Sequence, residues 1–281
     1  MSVKIIIDST VDVSEKLTDR FLWVPLTICF GSEEFIDGVT INHQKFYEKL
    51  VESDVMPTTS QATPAAFEEV FRQVTEAGDT ALVLTISSAL SGTYQSACIA
   101  AEEFPGSVYV VDTKSTTIGA GILAQLALKL AEEGMDAKAL AEKMTEEREN
   151  IRIVAMLDTL EYLKRGGRIS KTVAFAGNLL SIKPVISLEG GQIKILGKAR
   201  GSKQGNNLLV QEIQKAGGVD FEKPILLGYT GLSDVLLQKY ITDSAALWQE
   251  STQELECTVV GSVVGTHAGP GAVAVAFFKK N

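Results

Sequence analysis

The chain has 281 residues, 45% of them hydrophobic and 22% charged, enough for two hydrophobic cores. A formal net charge of -9 disfavours nucleic acid or an anionic membrane surface as the main partner, because both demand basic patches. Cys29, Cys98 and Cys257 are scattered without metal-ligand spacing and read as buried thiols in a reducing compartment; no apolar run is long enough for a leader or a membrane span, so the expected location is the cytoplasm.

In chain order, residues 3–7 are an unbroken apolar run, as in a strand buried on both faces, ending in Asp8-Ser9-Thr10. A second strand is predicted over 22–30, followed by a turn-rich loop or hairpin and a helix capped by Asn42. Thr63 and Pro64 have the chemistry of a cap and first helical position, which puts Thr59 and Ser60 in the loop before that helix. The stretch that organises the rest is LVLTISSALSGTYQSAC, residues 82–98: a strand, a polar loop and a helix start. Ser91 stands where an N-cap belongs and Gly92 follows, so free backbone N–H groups, a hydroxyl and the positive end of the helix dipole converge on a corner able to hold an anion. A further strand at 108–111 ends in Asp112, and helices are predicted over 117–133 and 137–149. Strand and helix alternate, which argues for a parallel sheet with helices on both faces and a ligand crevice at the strands' carboxyl ends, shared by Asp8, Ser9, Thr10, Ser87, Ser88, Ser91 and Asp112, with the Thr59 loop beside them.

Beyond residue 151 the pattern changes. Lys164, Arg165, Arg168 and Lys171 cluster around Gly166-Gly167, a local reversal of charge that suits docking of an acidic partner or a phosphate. Residues 183–188 and 192–199 form a predicted hairpin ending at Arg200, and helices and strands follow in an order that needs a mixed sheet. His267 falls in a Gly/Pro-rich turn between two strands, where the glycines let backbone approach a ligand. The expected fold is therefore α/β in two domains: a three-layer α/β/α parallel-sheet domain, residues 1–155, and a smaller two-layer mixed-sheet α/β domain, residues 156–281. P-loop and nucleophile-elbow signatures are absent, and the two histidines lie too far apart for a helical zinc pair. A Ser91–His267 nucleophile and base remains open, as in a stand-alone hydrolase or small-molecule kinase, although no acid to orient His267 can be named.

The segments IIIDSTVD, TTSQ (58–61), SSALSGTYQSA (87–97), VVDTKS (110–115), LKRGGRIS (163–170) and GTHAGPGAV (265–273), in this order along the whole chain, resemble the DegV family of bacterial fatty-acid-binding proteins. The resemblance implies a ligand held between the two domains. It also implies a non-catalytic role as the lipid-presenting subunit of a fatty acid kinase, important for phospholipid metabolism: a long-chain fatty acid is held while a separate ATP-binding subunit, which brings ATP and Mg, converts the carboxylate to an acyl phosphate. No cofactor or metal of its own is implied. Carried over, the carboxylate site falls on Thr59, Ser91 and the Gly92 N–H, with Arg200 and His267 nearby. The helix around Phe175, Ala176, Leu179 and Leu180 is expected to contribute to the acyl pocket, and Arg165, Arg168 and Lys171 to meet the kinase subunit. A lipid sensor or carrier that uses the same pocket without a kinase is the other alternative, and the basic loop speaks against it.

Overall fold

Ile5, Ile6 and Ile7 are all buried, which requires cover on both faces of their sheet. The computed structural model describes residues 2–170, 182–249, 251 and 254–280. In chain order these form β1 (Val3–Asp8), β2 (Leu22–Val24), β3 (Thr27–Phe30), β4 (Glu33–Ile36), α1 (His43–Glu52), β5 (Thr58–Ser60), α2 (Pro64–Glu76), β6 (Thr80–Thr85), α3 (Thr93–Ala101), β7 (Val108–Asp112), α4 (Thr117–Glu132), α5 (Ala137–Glu147) and β8 (Ile151–Met156). They continue with α6 (Glu161–Arg165), β9 (Ile182–Glu189), β10 (Gln192–Arg200), α7 (Gly201–Lys215), β11 (Leu226–Tyr229), α8 (Val235–Asp243), β12 (Glu256–Val259), α9 (Ser262–Ala268) and β13 (Val273–Phe278).

The fold is α/β with one parallel and one mixed sheet. The parallel sheet has the order β2-β1-β6-β7. The mixed sheet, β10-β9-β8-β13-β11-β12, is antiparallel except for the β11–β12 pair. Side chains alternate between faces, so each sheet divides its apolar residues between two cores. Ile6, Ala81 and Val83 pack outward with Phe67 and Phe71 of α2 and Ala97 and Ala100 of α3. On the other side, Val154, Met156, Val273 and Phe277 pack outward with Leu209 and Ile213 of α7 and Leu237 and Tyr240 of α8. The inward faces meet in one core: Ile5, Ile7, Leu82 and Leu84 of the parallel sheet and Ile153, Ala155, Ala274 and Ala276 of the mixed sheet close on α4 and α5. Helix α4, buried continuously from Thr117 to Ala124, packs against β1 and β6 on one side and β8, β11 and β13 on the other.

Three local expectations are corrected. The run at 22–30 is two strands, because Pro25 has no N–H to give a ladder and the next N–H, of Leu26, goes to Ser9 Oγ at 3.0 Å. Strand β3 turns away into a small antiparallel sheet, β4-β3-β5, and Thr59 lies on β5 opposite Ile28 rather than in a loop. His267 is on helix α9, which ends at Gly269 with φ +71°, so the glycine turn begins after the histidine. The expected domain division at 155/156 falls inside β8, all of whose residues pair with β13 in the mixed sheet. The three cysteines are free and half-buried rather than fully buried. Among the described residues no helix is long and apolar enough to cross a membrane.

Candidate functional site

The largely apolar cavity lies between the mixed sheet and the loops that follow the parallel strands; it takes one wall from the mixed sheet, through Ile153, Ala155, Ile186, Leu188 and Ile193, and another from α9, through Val263 and His267, with Ile86, Leu90 and Ser91 from the loop after β6. Strand β8 reaches it by alternation: Ile153 and Ala155 point in while Val154 and Met156 point to the outer core. Thr59, Gln61, Ser91, Arg168 and His267 supply its polar corner. Arg168 is the only charged side chain among the described lining residues.

Thr59 Oγ1 and His267 Nε2 are 2.9 Å apart. Burial, with the Arg168 charge as a second cause, lowers the His267 pKa from its usual 6.5 to about 4. The imidazole is therefore neutral at pH 7, and its Nδ1 is buried without a hydrogen-bond partner among the described residues. Ser91 Oγ accepts from the Thr93 N–H at 3.3 Å and lies 2.9 Å from Thr93 Oγ1. When the Thr93 hydroxyl donates to it, the Ser91 proton is left for a ligand. The N-cap of α3 is Gly92, one residue later than the sequence suggests; the Ser91 hydroxyl braces the first turn from outside. The Arg168 Nε–H donates to Leu90 O at 3.2 Å and an Nη1–H to Gly166 O at 2.7 Å, and among the described residues no carboxylate pairs with it. Loop carbonyls thus hold the guanidinium half-buried at the cavity without neutralising it.

Of the residues expected to hold a carboxylate, Thr59, Ser91 and His267 line the cavity together. Gly92 is not among its lining residues; a Cβ there would collide with the Gln61 amide, so its smallness makes room for Gln61. Arg200 is exposed at the start of α7 and takes no part in the lining, its backbone N–H donating to Gln204 Oε1 at 3.0 Å. Arg168, expected on the docking surface, supplies the cation instead. Arg165 is exposed and paired with Glu161 at 2.8 Å. Lys171, Phe175, Ala176, Leu179 and Leu180 lie outside the described residues.

Most of the polar residues predicted to share the sheet edge brace its loops. Asp8 accepts from Thr10 N at 2.9 Å, Thr10 Oγ1 at 2.5 Å and Ile86 N at 2.7 Å, tying β1 to the end of β6. Ser88 Oγ donates to Asp112 Oδ2 at 2.5 Å, and Ser87 Oγ to Gly191 O at 2.9 Å, latching the β9–β10 turn onto the loop before α3. The sequence reading does not single out Gln61, although TTSQ contains it, nor the inner face of β8, whose nearly continuous apolar run IRIVAM does not say which side lines a cavity.

No hydrogen bond joins Ser91 to His267, whose Nε2 is engaged by Thr59, and among the described residues no carboxylate orients its Nδ1. The arrangement lacks the relay of a nucleophile, a base and an orienting acid. It offers an apolar enclosure with neutral donors and one cation at one corner, which suits an amphiphilic anion.

A family model described as "Uncharacterised protein, DegV family" matches residues 2–280. A DegV domain-containing protein from Caldanaerobacter subterraneus subsp. tengcongensis is 35% identical over 287 residues, covering 99% of both chains. A DegV family protein from Thermus thermophilus, described by its fatty acid binding, superposes with a TM-score of 0.87 at 32% identity, covering 99% of this chain and 100% of its own. A stearic-acid-binding protein from Eubacterium ventriosum gives a TM-score of 0.87 at 26% identity, covering 100% and 99%. With residues 2–280 matched by the family model, a relative aligned over 99% of both chains and a fold shared over 99% of this one, the chain belongs to the DegV family.

Proposed function

We propose that this chain binds a long-chain fatty acid in the cavity against its mixed sheet and presents the carboxylate to an ATP-dependent kinase subunit, without catalysing a reaction of its own. The observation that carries the binding is the largely apolar cavity with Arg168 as its only described charge and with Thr59, Ser91 and neutral His267 beside it. Burying a methylene gains about 0.8 kcal/mol, so a chain of roughly sixteen carbons supplies on the order of 10 kcal/mol before ordering and association costs. Affinity comes from the tail and selectivity for an acid from the corner. Fatty acids bound by the related proteins from Thermus thermophilus and Eubacterium ventriosum support the same ligand class.

Native mass spectrometry of freshly purified protein, followed by denaturing extraction, tests the binding. A fatty acid of defined length released from the protein is the expected result; no bound lipid and no uptake of added fatty acid would overturn the reading. Ser91→Ala removes one neutral donor, so retention is expected to weaken by about fivefold with the fold intact.

Presentation to a kinase rests on the family resemblance and on the exposed cations Lys164 and Arg165, which stand in sequence between the cavity-lining Leu163 and Arg168. Reversing both charges, Lys164→Glu with Arg165→Glu, is expected to abolish acyl phosphate formation by added kinase subunit and ATP while leaving fatty acid affinity within about twofold. Undiminished phosphorylation would remove this surface from the docking assignment. Turnover by the isolated chain would instead favour the hydrolase or small-molecule kinase reading.

A further inference from the structure

Helix α9 carries His267 near its C-terminal end, and the peptide before its other end is hydrogen-bonded by two side chains that do not line the cavity. The peptide joining Val260 to Gly261, immediately before α9, is held at both of its polar ends. The Tyr47 hydroxyl donates to Val260 O at 2.9 Å, and Asp12 Oδ1 accepts from the Gly261 N–H at 2.9 Å. Tyr47 is fully buried on α1 and Asp12 is 6% exposed in the loop after β1, so both bonds are made away from water. Asp12 also ties in the facing wall: its Oδ2 accepts from the hydroxyl of Thr117, the first residue of α4 and a lining residue of the cavity. Packing along α9 is close enough to transmit this hold. A Cβ on Gly261 would come within 2.9 Å of Asp12 Oδ1, and one on Gly265 within 3.0 Å of Phe46 Cε1.

We propose that Asp12 and Tyr47 are positioning residues: by gripping both ends of the Val260–Gly261 peptide they fix α9 along its axis and so hold His267 against Thr59 at the head of the ligand cavity. The helix is only seven residues long, about 10 Å at 1.5 Å per residue, so a displacement at its start reaches His267 with little loss. A slip of about 1 Å would take the 2.9 Å Thr59–His267 contact beyond hydrogen-bonding distance. Asp12 serves as an acceptor whether or not it is ionised, because a carboxylic acid keeps a carbonyl oxygen for the Gly261 N–H and the Thr117 hydroxyl can reverse its role. Burial, with like-charge repulsion from Asp37 and Asp8, raises the Asp12 pKa to about 7. His43, on α1, is the basic group facing the same cluster through Asp37. An amide at position 12 therefore preserves the grip, and a methyl does not.

The ligand-binding arm of the test rests on the fatty acid reading above; the histidine arm does not. Only His43 and His267 are present, so the imidazole resonances of the ligand-free full-length protein can be titrated by NMR and assigned with a His43→Gln control. In Asp12→Ala, α9 loosens and water reaches the ring, so the His267 midpoint is expected to rise from about 4 towards 6.5. Affinity for a fluorescent long-chain fatty acid is expected to fall by about tenfold or more in the same variant. Asp12→Asn should restore both readouts, which a purely electrostatic role of the carboxylate would not permit. Gly261→Ala, which drives a methyl against Asp12 Oδ1, and Tyr47→Phe, which removes only the hydroxyl, should shift both in the direction of Asp12→Ala, and they carry the test should that variant not fold. An unmoved His267 midpoint in the folded variants, or failure of Asp12→Asn to restore it, would overturn the proposal. If wild-type protein takes up no fatty acid, the proposed function falls while the titration still decides this inference.

Discussion

Replacing Arg168 by methionine is expected to lower affinity for a long-chain fatty acid on the order of 100-fold while changing affinity for the matching fatty alcohol only a few-fold. The guanidinium is the single described charge in the cavity lining and is held there by Leu90 O and Gly166 O. Without it a carboxylate would enter a largely apolar enclosure with only hydroxyl, amide and neutral imidazole donors, and an uncompensated buried charge costs about 2–5 kcal/mol. Arg168→Lys should recover only part of the loss, because an ammonium cannot keep both carbonyl bonds in fork geometry while it faces the ligand. Competition binding with a fluorescent fatty acid, run in parallel with the alcohol, checks this. Equal loss for acid and alcohol would mean that Arg168 shapes the cavity instead of reading charge.

The second large effect is a change in how stability responds to pH. His267 has its folded-state pKa lowered from 6.5 to about 4. Its contribution is complete above 6.5 and is lost as pH falls towards 4, because the unfolded chain takes up a proton that the native ring refuses; the loss amounts to about 3 kcal/mol. Asp12 works in the opposite sense. Its pKa is raised from 3.8 to about 7, so its contribution is present below 3.8 and disappears as pH rises through 7, and Asp8 and Asp37, also raised by burial, tilt the same way. The two trends oppose each other between pH 4 and 6.5 in the wild type. Single substitutions should separate them: His267→Gln is expected to be more stable at pH 5 than at pH 7.5, whereas Asp12→Asn should lose stability on the same acidification. Urea midpoints at the two pH values are the measurement, and curves for both variants parallel to wild type would refute the assignment.

Much of this was legible in the sequence wherever a local rule and the tertiary environment agree. The continuous run at Ile5–Ile7 announces cover on both faces, and the Thr63 cap with Pro64 behind it forms as read, with Thr63 Oγ1 accepting from Ala66 N at 3.2 Å. Thr59, Ser91 and His267 were singled out by residue type and resemblance, and the cavity brings them together. The misreadings have physical causes. Helix α9 is too short and glycine-containing to have a strong intrinsic signal; it forms because Gly265 lets α1 approach closely, a contact made by residues far apart in sequence. Arg168 reads from sequence as part of a docking cluster because side-chain direction depends on how the Gly166–Gly167 turn folds, with Gly167 at φ +71°. The cavity wall in β8 is hidden in the sequence because its register with β13 and β9, which faces Ile153 and Ala155 inward, is a long-range property.

Helix α4 has almost no surface of its own to offer water over its first three turns, since one sheet lies on each side of it. Separating the two halves of the chain would strip apolar cover from whichever half kept the helix and leave an open face on the other. Heating should therefore produce one cooperative transition rather than two, with calorimetric and van't Hoff enthalpies in agreement. A fragment cut at residue 155 would inherit the helix without its second lid, and its preferred fate is association with another exposed face.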